Sequence, residues 1–237
     1  IESKYAQGKL RSYCNNMIYF GMLKGSIGYL RILGFNSFTP SQTFADGSEA
    51  LEAALDDIFK NAKDMKGLVI DVRLSTGGAD PWGVAIASRL TKNRYLAYSK
   101  VIRDNISGPL HFTKPQPAWV DVSTRPGFYG KVVLLIGPDT ISAGETFSMA
   151  LMGRSPQIAF IGENTQGVFS DVLRRRLPND WRFGLPNEVY LTKDGKAYDG
   201  PGVPPQVTVP VFPTSDLDSG RDGGLEKAVQ LLGAPKS

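Results

Sequence analysis

The chain has 237 residues, with 27 Lys and Arg against 23 Asp and Glu, a net charge of +4. That excess is small, and no basic stretch is interleaved with aromatics, so a nucleic-acid binder is not indicated. A single cysteine, Cys14, and a single histidine, His111, exclude an internal disulfide framework and a multi-cysteine or His-rich metal site.

No apolar run approaches the length of a membrane span, and a hydrophobic content of 41% suits one large globular domain or one domain with a small extension. The chain opens on Ile1, Glu2 and Ser3, without an initiator methionine or the pattern of a signal peptide, and reads as a piece of something longer. Residues 1–25 are expected to be a residual N-terminal segment or linker, and residues 26–237 the core.

Residues 16–23 are apolar and aromatic and read as a strand, and residues 26–35 alternate as a strand with Ile27, Tyr29 and Leu33 inward. After Asp46, Gly47 and Ser48 comes an amphipathic helix, with Leu51, Ala54, Leu55, Ile58, Phe59 and Ala62 on one face. Residues 68–72 (Leu-Val-Ile-Asp-Val) form a short apolar run of the doubly buried parallel type. A glycine-rich loop, 73–79, leads into a helix over 81–90 that tolerates Pro81 in its first turn. Residues 95–103 read as a strand and 109–126, with several prolines and aromatics, as a long loop.

Residues 132–136 read as a buried strand, followed by a turn at Gly137, Pro138 and Asp139 and a helix opening at Ser142. A further strand is expected over 157–161, a loop over 162–167, and an exposed strand pair over 168–177 and 181–191. The basic triplet Arg174, Arg175 and Arg176 lies in that pair, as a solvated strand end or a substrate-facing patch. Residues 194–213 are rich in Gly and Pro, and a terminal helix spans 225–232. The strand–helix alternation argues for an α/β fold.

Ser142 stands at a strand-to-helix turn, where backbone N–H groups are unpaired and the helix dipole favours negative charge. Such a turn can supply a hydroxyl nucleophile with an oxyanion site. Taken alone, the segment reads more simply as an N-cap. Three loops, at 71–78, 139–145 and 162–167, each follow an apolar strand, and ligand sites in α/β folds gather beyond strand carboxyl ends.

The loops together resemble one family. Residues 68–78 (Leu-Val-Ile-Asp-Val-Arg-Leu-Ser-Thr-Gly-Gly) are similar to its I-D-L-R-x-N-x-G-G signature, and 140–145 (Thr-Ile-Ser-Ala-Gly-Glu) to its T-x-S-A-x-E motif. Residues 162–167 are similar to G-E-x-T-x-G, and 195–205 to G-x-x-Y-E-G-x-G-V-x-P-D. The family is the tail-specific, or C-terminal-processing, serine peptidases, and the resemblance lies with its tricorn-core and retinoid-binding-protein-like branch.

It implies a ClpP/crotonase-like core of strand–helix repeats with an added strand pair, and peptide-bond hydrolysis by Ser142. The implied oxyanion donors are the amides of Ala143 and of Gly78 or Gly77. Thr165, Gly167 and Phe169 would contact substrate, and the exposed strands would take peptide by strand addition. The implied partner is a polypeptide, with no metal or organic cofactor and an exported location.

The departures bear on the base. Val168 stands where one branch carries a lysine, and no lysine lies between Lys131 and Lys193, so a Ser–Lys dyad of that type is absent. Asp199 falls where the tricorn-like branch has a glutamate that orients a histidine; as part of Asp-Gly it is equally a turn residue. His111 lies in the variable loop before the nucleophile strand, and the expected base is a histidine upstream of this chain. Gln206 replaces a family aspartate of structural character, and no PDZ module is visible. Two rivals stand beside the endopeptidase: an impaired peptide- or ligand-binding module on the same scaffold, and crotonase-type enolate chemistry, against which the serine motif argues.

Overall fold

The computed structural model describes residues 1–104 and 111–233. Among them the architecture is a mixed α/β sandwich built on a seven-stranded sheet. Its strands are β1 (Arg11–Tyr13), β2 (Ile18–Leu23), β3 (Ile27–Ile32), β4 (Gly67–Asp71), β8 (Val132–Ile136), β9 (Ala159–Gly162) and β13 (Val207–Thr208), in the order β1-β2-β3-β4-β8-β9-β13. From β3 onward the pairings are parallel, while β1 and β2 add antiparallel at one edge.

Apart from Asp71 at the end of β4, the central strands are apolar because both faces are covered. On one face Leu68, Ile70, Val132, Leu134 and Ile136 join a core with the helices α1 (Phe44–Phe59), α2 (Asp80–Ser88) and α3 (Ala143–Met152). On the other, Tyr29, Val69, Val133 and Leu135 pack on Leu225, Ala228 and Leu232, which belong to or follow α5 (Gly223–Leu231). A short helix, α4 (Thr214–Asp218), precedes α5. The α5 face is anchored by a buried charge cluster. Arg73 donates to both Asp71 and Asp222, and Asp71 also accepts from the Tyr29 hydroxyl at 2.7 Å.

A second sheet forms around the ten-residue strand β5 (Tyr95–Asp104), paired with β6 (His111–Phe112), β7 (Gln116–Val120) and β12 (Glu188–Leu191), all antiparallel. The remaining strands, β10 (Val172–Arg176) and β11 (Arg182–Pro186), form a solvent-exposed ribbon that carries the three consecutive arginines.

Several expectations are corrected. Residues 1–25 are not a linker in this structure, because β1 and β2 extend the main sheet and β2–β3 is a hairpin across the expected boundary. The first helix begins at Phe44, ahead of Asp46, because Thr43 caps it by accepting from the Asp46 amide at 3.2 Å. Leu33 lies beyond the end of β3.

The loop expected over 109–126 contains two strands, β6 and β7. Pro117 is tolerated in β7 because that strand pairs on one side only, with β5. The part of that loop over 109–110 lies outside the described residues. The second half of the expected strand pair divides at Pro186, and its end leaves the ribbon to join β5 as β12.

Candidate active site

Ser142 is the residue before α3, at φ 53° and ψ −118°. An ordinary N-cap is extended, so a non-glycine residue held at positive φ signals strain of the kind stored at functional sites. Ser142 and Glu145 have a capping-box arrangement, yet the Ser142 side chain makes no cap hydrogen bond. The well-formed half is the other one, with the Glu145 carboxylate accepting from the Ser142 amide at 3.1 Å.

Glu145 is fully buried and explains how the strained turn is held. Its Oε1 accepts from the Thr165 hydroxyl at 2.7 Å and the Gly167 amide at 2.6 Å. Its Oε2 accepts from the Val168 amide at 2.8 Å as well as from Ser142. Burial raises the Glu145 pKa, and these four donors pull against that rise. The Ser142 amide also donates to the Val168 carbonyl at 3.0 Å. One carboxylate thus ties the start of α3 to the loop over 162–167.

The glycine-rich loop after β4 lies against the same turn. The Phe35 amide donates to the Gly77 carbonyl, and Phe35 in turn accepts from the Ala79 amide, each at 2.7 Å. Alternation along the chain then turns the Gly78 amide away from Phe35. Among the described residues neither the Gly78 amide nor the Ala143 amide donates to a backbone or side-chain partner. A Cβ on Gly77, at φ 79°, would stand 2.7 Å from the Ser142 Cβ, and one on Gly78, at φ 138°, would stand 2.0 Å from the Phe35 carbonyl oxygen. Both positions therefore require glycine.

A cavity of about 400 Å³ opens beside Ser142 and Gly78. Asp80 and Pro81 from α2, Tyr98 and Lys100 from β5, Pro117 from β7, Phe169, Asp171 and Tyr190 from β12 contribute to its wall. Asp80 accepts from the Thr146 hydroxyl at 2.8 Å and the Tyr190 hydroxyl at 2.9 Å. Burial raises its pKa. Lys100 is paired with Glu188 at 3.0 Å.

Of the residues expected to contact substrate, Phe169 lines this cavity. Thr165 and Gly167 are buried behind it, with the Thr165 hydroxyl and the Gly167 amide committed to Glu145, so they shape the loop from within. Asp199 belongs to a turn packed on that same loop, where the Gly200 amide donates to the Gly167 carbonyl at 2.9 Å. Burial raises the pKa of its carboxylate, with the nearby Phe169 amide pulling against that rise. His111 sits on β6, half exposed, with Nδ1 3.4 Å from Asp104. Asp104 is four residues beyond Lys100 on β5, roughly 13 Å further along the strand, so His111 is remote from this cavity.

Asp80, Tyr98, Lys100 and Tyr190 went unnoticed in the sequence. Only the closing of β5 and β12 over α2 assembles them, and no local pattern signals it. Glu145 was visible as a motif position, but its four donors come from two separate stretches, Ser142 and the loop over 165–168.

The sequence matches the family described as peptidase family S41 over residues 26–209. The chain belongs to peptidase family S41. No curated protein sequence matches it. Among solved structures, this S41 chain is similar to a protein of Parabacteroides merdae described as a candidate peptidase. Identity is 26% and the TM-score 0.81, over 96% of this chain and 67% of that one. Mature CPAF complexed with lactacystin aligns at 15% identity and TM-score 0.74, over 95% of this chain and 56% of that one. The photosystem II D1 C-terminal processing protease aligns at 24% identity and TM-score 0.59, over 86% and 51%. The last two likenesses concern the fold, and this S41 chain spans little more than half the length of each. Among the described residues no helix is long and apolar enough to cross a membrane, and no cluster of His, Cys, Asp and Glu has the makings of a metal site.

Proposed function

We propose that this S41 chain is the ClpP/crotonase-like core of a serine endopeptidase of the tricorn-like branch, with Ser142 as nucleophile. The observation that carries the reading is the strained Ser142 at the start of α3, beside two unengaged amides and an open cavity. Ser142 Oγ attacks the peptide carbonyl carbon while a base takes its proton. The oxyanion that forms is held by the Ala143 and Gly78 amides, with Gly77 giving the close approach. Donors fixed in advance need no reorganisation as charge develops. Collapse expels the amine, which takes the proton back from the base, and water then hydrolyses the acyl-enzyme.

Among the described residues no histidine lines the cavity. The base in this reading is a histidine from outside this segment, oriented by Asp199. The absence of a histidine from the described lining also favours a second reading, an impaired peptide-binding module on the same scaffold. A fluorophosphonate probe separates the two when applied to the full-length protein. Covalent labelling that disappears in Ser142→Ala supports the peptidase, and a full-length protein that labels no better than Ser142→Ala overturns it.

A further inference from the structure

The cavity beside Ser142 carries a charge that hydrolysis itself does not use. Among the described residues three charged side chains line it: Asp80, Asp171 and Lys100. Lys100 is already matched, since Glu188 holds it at 3.0 Å. Asp80 is engaged only by neutral hydroxyls, from Thr146 and Tyr190, which orient the carboxylate without cancelling its charge. Asp171 has no ion pair among the described residues. With the Lys100–Glu188 pair neutral, two carboxylates remain without a cation.

The walls suit a cation with a long apolar stem. Tyr98, Phe169 and Tyr190 present aromatic rings, with Tyr98 and Tyr190 meeting edge to face at 5.4 Å between centroids. The Lys100 ammonium already lies 5.8 Å from the Tyr190 ring centroid, so one face of this wall holds a cation within the protein itself. A volume of about 400 Å³ is ample for a lysine or arginine side chain.

We infer that this cavity is the subsite for the residue whose carbonyl Ser142 attacks, and that it selects a basic side chain, Lys or Arg, through Asp80 and Asp171. This deepens the peptidase reading and rests on it for the chemistry. The side chain's stem lies between Tyr98, Phe169 and Pro117, and its charged end reaches the free lone pairs of Asp80. A planar guanidinium matches a carboxylate in two hydrogen bonds.

The test keeps binding apart from catalysis and uses the full-length protein. Benzamidine, a planar aromatic cation, is titrated against benzamide, its neutral counterpart, and benzoate, its anion, by calorimetry. Benzamidine is expected to bind about tenfold more tightly than benzamide, the effect of one charge-assisted contact. Asp80→Asn is expected to remove most of the difference, leaving the smaller share that Asp171 contributes. Should Asp80→Asn fail to fold, Asp171→Asn carries the test, because its carboxylate is exposed; there the preference should fall about threefold.

Equal binding of the two, preference for benzoate, or an unchanged preference in every folded variant overturns the inference. In parallel, peptides varied at the cleaved residue should show Arg and Lys ahead of Leu and Glu in kcat/KM. Leu or Glu leading also overturns it. Fluorophosphonate labelling reports on Ser142 alone, so a protein that labels but prefers no cation refutes the subsite without touching the peptidase reading. One that binds benzamidine but does not label does the reverse.

Discussion

Glu145→Gln tests whether the strained turn at Ser142 is held by one carboxylate. Glu145 accepts four hydrogen bonds, two on each oxygen, and every donor is a backbone amide or the Thr165 hydroxyl. Glutamine keeps the shape but offers one accepting oxygen and an NH₂ group that can only donate. Whichever way the amide is placed, one pair of donors faces an NH₂. If that pair is Ser142 and Val168, the Val168 N–H is left against a donor, while the Ser142 amide keeps its bond to the Val168 carbonyl. If it is Thr165 and Gly167, the hydroxyl can turn away but the amide cannot.

A stranded buried donor costs about 1–3 kcal/mol, so the substitution is expected to destabilise by roughly 3 kcal/mol and to lower the melting temperature by about 6–12 °C for a chain of this size. Loss of the tie to Val168 should also release the positive φ at Ser142. Fluorophosphonate labelling of the folded variant is expected to slow by tenfold or more, the scale of losing one precisely placed group. Thermal unfolding followed by circular dichroism, with the labelling rate measured well below the transition, checks both. A Glu145→Gln protein that melts within about 2 °C of the parent and labels at the same rate would refute the assignment.

Arg73→Met leaves Asp71 and Asp222 buried without their cation and should cost about 3–5 kcal/mol in urea unfolding. Adding Asp71→Asn and Asp222→Asn to it should recover part of that loss. Burial by itself would raise the Asp71 pKa, but the Arg73 charge, its hydrogen bonds and the Tyr29 hydroxyl outweigh burial and hold the carboxyl below its usual value. Its stabilisation is therefore complete above the unfolded carboxylate pKa of about 3.9 and disappears as pH falls through the depressed folded value. Urea midpoints measured from pH 7 down to pH 3 should decline at the acid end, and less so in the triple variant.

Gly78→Ala should be destabilised by about 2–3 kcal/mol and lose fluorophosphonate labelling, because its Cβ would meet the Phe35 carbonyl at 2.0 Å and force the strand away. Burial pushes the Cys14 thiol up to about 12, so a thiol-titrating disulfide reagent should react with it slowly in the native protein and quickly in denaturant.

The parts of the fold that could be read from sequence were those decided locally. The apolar runs at residues 68–70 of β4 and 132–136 of β8 have to be buried on both faces, and the 3–4 spacing over Leu51, Leu55 and Ile58 has to face a sheet. Strand β7 escaped because Pro117 and its exposed neighbours carry no alternating pattern; it is a strand because β5 offers it a free edge. The division of β11 from β12 depends likewise on which partner each half meets, the ribbon or β5.

Sequence alone determined the features that need particular residues at fixed spacing along one segment. The adjacent glycines at 77 and 78, the only residue type that fits against Ser142 and Phe35, and the serine opening α3 are of this kind. Tertiary structure decided everything assembled from distant segments. It brought the 165–168 loop onto Glu145 and turned Thr165 inward. It closed β5 and β12 over Asp80, which made a first-turn helix residue into the floor of a charged cavity. The physical reason is range. Backbone conformation and side-chain periodicity are set within a few residues, whereas burial, desolvation and the convergence of donors on one carboxylate exist only once remote segments pack together.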